Sequence, residues 1–385
     1  MADNPAQPAR NGTRPEVIRA FLRLGFIAFG GAPAHFAMME EEFVRRRGWL
    51  TRERFLDLVG AASMLPGPSS TELALYIGQV RGGVAGLLLA GAGFILPSAF
   101  LVVALAWGYQ RYGTIPQIAG ILAGVKPVVV VILVQALWSL GRTALKSWEL
   151  AAIAGLAGVL GVLGIPPVAA LLGGGALYLG IWLAREGNRK SVRLALFVAA
   201  SASSPIAVTA GLSALFLYFL KVGAVVFGSG FVLLAFLRAD LVTRLHWLTE
   251  TQLLDAIAVS QATPGPFFTV STFIGYLLGG WRGAALATVG MFLPAFVYVG
   301  VTGRFLPRLR QSRLAGAFLD GVNAAAVALM AVVSWQFARA ALVSLPTTAI
   351  AVVSGALLLR YRLNSAWLIL LGAVAGLGLV ALHLI

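Results

Sequence analysis

The chain of 385 residues contains no cysteine, which removes disulfides, thiol nucleophiles and thiolate metal sites from consideration. Its three histidines, His35, His246 and His383, lie far apart and lack metal-ligand spacing, so they read as helix-end or interfacial residues and no metal is expected. Charge is scarce too: 11% of residues are charged, against about 25% in soluble domains. Neither GxxxxGK[ST] nor a GxGxxG between strand and helix is present, which argues against an ATP-driven pump or a dinucleotide enzyme. An intramembrane enzyme would want acids and histidines clustered at catalytic spacing. None are, so no enzyme and no cofactor is expected.

What the chain has in abundance is apolar surface. Hydrophobic residues make up 59% of it and the mean hydropathy is +0.89. Runs such as "VVVVILVQALWSL", inside the apolar stretch 116–141, and "AWLILLGAVAGLGLVALHLI" follow one another from Pro15 onward, and stretches of that length meet the ~20-residue requirement for crossing hydrocarbon. The expected class is an all-α, polytopic integral membrane protein. The polar, proline-containing residues 1–14 lack the apolar core of a secretory signal and read as a flexible tail. The formal net charge of +15 marks cytoplasmic loops rather than a nucleic-acid partner, since basic residues bias toward the inner side of membrane proteins.

The chain repeats itself. Shifted by 198 residues, "FLRLGFIAFGGA" (21–32) falls on "FLKVGAVVFGSG" (219–230), and "WLTRERFLDLVGAASMLPGP" (49–68) falls on "WLTETQLLDAIAVSQATPGP" (247–266). At 197, Gly78 meets Gly275, Gly86 meets Gly283, Pro97 meets Pro294 and Gly124 meets Gly321. This divides the chain into the tail, a first repeat at 15–190, a connector at 191–211 and a second repeat at 212–385. Such duplication is common in secondary transporters. The order F-x-R/K-x-G-x-x-x-F-G-G/S, a charged stretch ending in W-L-T, then P-G-P, given twice, resembles the two-domain chromate ion transporter family over nearly the whole chain. The resemblance implies chromate efflux and chromate resistance, with sulfate as the related oxyanion and the bacterial cytoplasmic membrane as the location. Ser229 stands where the first repeat has Gly31.

Spans are expected at 15–38, 83–110, 116–141, 148–163 and 165–184, and at 212–237, 281–305, 315–338, 343–359 and 363–384. The pieces 55–65, 69–80, 251–263 and 267–279 are too short to cross alone, and read either as halves of a broken helix or as arms of a re-entrant hairpin. The first repeat carries Arg45, Arg46, Arg47, Arg52 and Arg54 on one side, whereas the second carries Arg304, Arg308, Arg310 and Arg313 in the opposite connection. This swap is what inverted repeats produce under the positive-inside rule. With 15–38 as one crossing and 194–211 as a non-crossing connector the N-terminus lies outside; a break at the glycine pair of the first helix would put it inside.

The candidate substrate site is built from helix interruptions and intramembrane cations. Pro66 and Pro264 end one segment, Gly67 and Gly265 accept backbone angles others refuse, and Pro68 and Pro266 can open the next. Ser69, Ser70 and Thr269 follow, and a helix starting there aims free N–H groups at an anion. Arg23 and Lys221 occupy one repeat position within the first spans, either facing the interior or snorkelling to the surface. Gly30, Gly31, Gly228 and Ser229 let backbone unwind or helices pack closely. Lys126 matches Asn323, a cation against an amide. Asp57 and Asp255 match each other, as gates or as carboxylates complementing a helix dipole. Glu72, without a partner in the repeat, could pair with Arg23 or Lys126 or carry a coupling proton, since neutralising it would strengthen anion binding. The tryptophans, Trp49 and Trp247 among them, read as interfacial anchors. The partners implied are a small oxyanion and the bilayer, with a homodimer among the oligomeric options. The reading is a chromate carrier working by alternating access; a passive oxyanion channel and a sulfate uptake carrier are the alternatives.

Overall fold

The computed structural model describes residues 13–113, 115–186, 211–227, 230–303, 312–361 and 363–382. Among these residues every regular element is a helix. Most of the tail, the connector 191–211 apart from Gly211, Gly228, Ser229, Arg304, Arg308, Arg310 and His383 lie outside them.

The expected first span is interrupted. Helix α1 (Arg14–Ile27) stops at Ala28, and α2 (Ala32–Glu40), prolonged by a wide turn at Glu41–Arg46, starts after Gly30, whose φ of 102° suits only glycine. The two arms return to one end of the molecule. There Glu16, near the start of α1, meets the Trp49 indole N–H at 3.1 Å, Arg47 at 3.8 Å and Arg81 at 3.7 Å. Trp49 is therefore no lipid anchor: it is buried, stacked on Phe43, and flanked by the Arg47 and Arg81 guanidinium groups.

A second hairpin follows. Thr51, the last residue of W-L-T, caps α3 (Arg52–Ala62) by accepting from the Arg54 N–H, and α3 runs inward to Pro66-Gly67-Pro68. The chain returns along the first part of α4 (Ser69–Tyr112). At Gly82 and Gly83, the latter at φ 59°, it turns sharply and crosses the molecule. Gly78 and Gly86 make this corner feasible, because a methyl group on Gly78 would fall on the Gly86 carbonyl. Of the two options for the short pieces, the re-entrant hairpin is the one observed. The remaining helices cross in alternation: α5 (Pro116–Ala144), α6 (Trp148–Val162) and α7 (Pro167–Arg185).

The second repeat copies this plan. Its elements are α8 (Leu212–Val225), α9 (Leu233–Leu237), α10 (Glu250–Ala262), α11 (Val270–Thr302), α12 (Arg313–Ala341), α13 (Leu345–Tyr361) and α14 (Ser365–Ala381). Thr249 caps α10 in a full capping box with Gln252, and α11 turns at Gly279-Gly280 as α4 does at Gly82-Gly83.

Contacts between the repeats fix their relative direction. Tyr76, near the end where α1 begins, shares a hydrogen bond with Thr302, the last residue of α11. Tyr109, near the far end of α4, donates to Asp255 in the first half of α10. The hairpins of the two repeats thus enter from opposite ends, and the repeats are inverted. Their tips cross in the middle: the Gly67 N–H donates to the Val226 carbonyl and the Gly265 N–H to the Ala28 carbonyl, each at 2.7 Å.

The end at which α1 begins carries Arg45, Arg46, Arg47, Arg52, Arg54, Arg81, Arg142, Lys146, Arg185, Arg313 and Arg360; the other carries Arg111, Arg238, Arg244, Arg282 and Arg339. The positive-inside rule assigns the first end to the cytoplasm. This corrects the layout with an external N-terminus, because α1 and α2 form a hairpin and do not cross. It also places Arg185 and Leu212, which flank the connector, at opposite ends.

Candidate functional site

Two helix starts converge on one cavity. Gly31, Ala32, Pro33 and Phe36 at the head of α2, and Ser69 at the head of α4, line a space of about 530 Å³. Its other walls are the end of α5 (Ser139, Thr143, Lys146), the face of α12 (Asp320, Asn323, Met330) and the Phe231-Val232 turn of the second repeat. No side chain caps either helix start. Two positive dipole ends therefore meet at a cavity open at the basic end of the molecule, a combination that suits an anion. Lys146 stands at the mouth, 2.9 Å from Asp320. A water molecule's share of liquid volume is about 30 Å³, so an oxyanion can enter with much of its hydration.

The structure brings Gly31, Ser69 and Asn323 together here and leaves the other expected residues elsewhere. Gly30 sits at the break beside the cavity, and Pro66, Gly67, Pro68 and Ser70 lie behind Ser69. The N–H groups of Gly67 and Gly265 are already bound to the opposite repeat, so the tip glycines build the crossing and do not face the cavity. Pro264, Gly265, Pro266 and Thr269 are all buried, with Thr269 bonded to Ser98 at 3.1 Å. Arg23 points outward from α1 and makes no salt bridge among the described residues. Lys221 is half-buried near the Asp240–Arg244 pair. Asp57 is half-buried on α3, away from the cavity wall. Lys146, Asp320, Ser139 and Thr143 carry no motif; the signal for Lys146 was its place among the basic residues of one end. His35, expected at a helix end or interface, is buried against Phe94 with Nε2 3.2 Å from the Ala28 carbonyl, and braces the break.

The sequence model of the family described as "Chromate transporter" matches this chain twice, at residues 15–179 and 213–377. The chain belongs to the chromate transporter family. It is 32% identical over 379 residues to the "Chromate transport protein" of Cupriavidus metallidurans, covering 97% of this chain and 94% of that one. Against the "Chromate transport protein" of Pseudomonas aeruginosa the figures are 31% over 381 residues, 94% and 91%. The "Uncharacterized transporter YwrA" of Bacillus subtilis is 34% identical over 128 residues, one third of this chain and 72% of its own length. No solved structure matches.

Within this chromate transporter family member the two repeats are not chemically equal. Ser69 and Ser70 stand at the first tip, whereas Phe267 and Phe268 stand at the second, with Phe267 packed on Phe231 at 5.5 Å. At the end opposite the cavity mouth, Lys126 pairs with the buried Asp255 at 2.9 Å, and Tyr109 donates to the same carboxylate at 3.0 Å. Lys126 therefore adds no charge to the cavity and is no partner for Glu72; its repeat counterpart Asn323 lines the cavity instead.

Proposed function

We propose that this protein is a secondary carrier for a divalent oxyanion, chromate with sulfate as the related ion, and that its net work is chromate efflux. The observation that carries the reading is the pair of uncapped helix starts, α2 and α4, aimed into one cavity at the basic end. The relatives' names support chromate as the substrate. Ser69, Asn323 and the head of α2 hold the anion, and Lys146 at the mouth draws it in. The inverted repeats, 15–190 and 212–385, give the symmetry that alternating access needs: an exchange of conformations between them moves the opening from one end to the other.

A channel needs a path open at both ends. The Lys126–Asp255–Tyr109 cluster at the far end favours a carrier over a passive channel. The test is flux of labelled chromate and sulfate into proteoliposomes of the purified protein. A carrier gives saturation and counterflow; linear flux without counterflow indicates a channel, and no oxyanion flux overturns both. Everted vesicles, with the proton gradient imposed and then collapsed, separate efflux from sulfate uptake.

A further inference from the structure

Glu72 is fully buried, one turn beyond Ser69 on the same helix, and neither carboxyl oxygen has a hydrogen-bond partner among the described residues. Its carboxyl lies against the first proline-glycine-proline tip: a methyl group added to Gly67 would come within 2.7 Å of Oε1. The described residues around it offer no counter-charge. The neighbouring backbone is that of Gly67 and the end of α8, where the Gly223 carbonyl is close and the Ala224 carbonyl accepts from the Tyr298 hydroxyl. The titratable groups in reach are Tyr76 on its own helix and Tyr298 on α11; among the described residues no lysine, arginine or histidine interacts with it. An ionised carboxylate in such a place carries a large desolvation cost that binding a proton removes.

We propose that Glu72 is a proton-binding site linked to occupancy of the anion cavity. The site takes one proton from water and returns it to water. While the proton is bound, the wall behind Ser69 is neutral and a divalent oxyanion can settle at the head of α4; when it leaves, the carboxylate repels that anion. By reciprocity, a bound oxyanion must strengthen proton binding. The second repeat has Val270 at the equivalent position, so its tip has no acid there. The linkage to the cavity rests on the oxyanion reading, but the proton site itself does not.

The two are separated by measuring each. In the infrared spectrum of purified protein, the carbonyl band of a protonated carboxylic acid is expected in neutral buffer, absent from Glu72→Gln, and strengthened by sulfate in alkaline buffer. A wild-type band unchanged in Glu72→Gln overturns the site even if oxyanion flux is established. In proteoliposomes with a trapped pH dye, oxyanion-driven proton movement should fall at least tenfold in Glu72→Gln, and the remaining counterflow should lose its pH dependence. Proton movement at the wild-type rate in that variant, or a requirement for sodium in the wild type, overturns the proposal. Should Glu72→Gln fail to fold, the wild type still decides: counterflow that does not rise as pH falls contradicts the linkage.

Discussion

Lys126 and Asp255 come within 2.9 Å of each other although one belongs to α5 of the first repeat and the other to α10 of the second. The repeat counterparts, Asn323 and Asp57, cannot make an ion pair, and Asn323 faces the open cavity. The pair thus joins the repeats without a symmetry-related copy of itself; at the other end different residues, Lys146 with Asp320 and Tyr76 with Thr302, join them. Removing a single partner leaves a buried charge uncompensated, which costs ~3–5 kcal/mol. Lys126→Met should therefore lower the thermal midpoint in detergent strongly, and Lys126→Met combined with Asp255→Asn should recover much of the loss. Equal and additive losses from the two changes would show that the pair contributes nothing as a pair.

The contrast between Ser69 and Phe267 predicts a second result. Ser69 lines the cavity, while the phenyl ring at the equivalent place in the second repeat fills its tip. Ser69→Phe should occupy the space in front of the α4 start and reduce oxyanion binding at least tenfold. The ring enters an open cavity and not a packed core, so the thermal midpoint should move little. Equilibrium binding of labelled sulfate to the purified variant is the measurement.

Much of this architecture was legible in the sequence because it depends on local chemistry that recurs. The W-L-T blocks end in helix-capping threonines, Thr51 and Thr249, and the P-G-P blocks end helices because proline lacks an N–H. The swapped arginine clusters gave the inversion. The break between Ala28 and Gly31 was harder to see, because residues 15–38 are apolar enough to cross and only a glycine pair marks the interruption. The site was less legible than the fold. Arg23 and Lys221 looked informative because they share a repeat position, but which face of α1 or α8 is buried depends on tertiary packing. Lys146 and Asp320, 174 residues apart, meet only through the packing of α5 on α12.

The α5–α14 contact predicts a third. Gly120 and Gly124 face Gly372 and Gly376, two small-xxx-small pairs whose backbones touch. A methyl group on Gly376 would fall on the Gly120 carbonyl, and one on Gly124 on the Gly372 carbonyl. Backbone cannot yield as a side chain can, so Gly376→Ala should destabilise by roughly 1–3 kcal/mol or more. Gly378, two residues on and on another face of the helix with open space around it, is the control: Gly378→Ala should leave the thermal midpoint unchanged or raise it slightly.

Removing charge at the cavity mouth should act on rate more than on stability. Lys146 and Asp320 form an ion pair with the lysine side chain 59% exposed, and exposed pairs are worth about 0–1 kcal/mol. Lys146→Gln should therefore fold as the wild type does. Its field, however, lies across the entry to a cavity for anions, and such fields raise encounter rates until salt screens them. Oxyanion uptake by Lys146→Gln should be several-fold slower at low ionic strength and approach the wild-type rate at high salt, with Asp320→Asn shifted the other way. Arg23→Gln, altering a cation that points away from the cavity, should show neither effect. If instead Arg23→Gln abolished uptake while Lys146→Gln left it unchanged at every ionic strength, the entry route would have to lie along α1, and the cavity between α2, α4, α5 and α12 would not be the path of the anion.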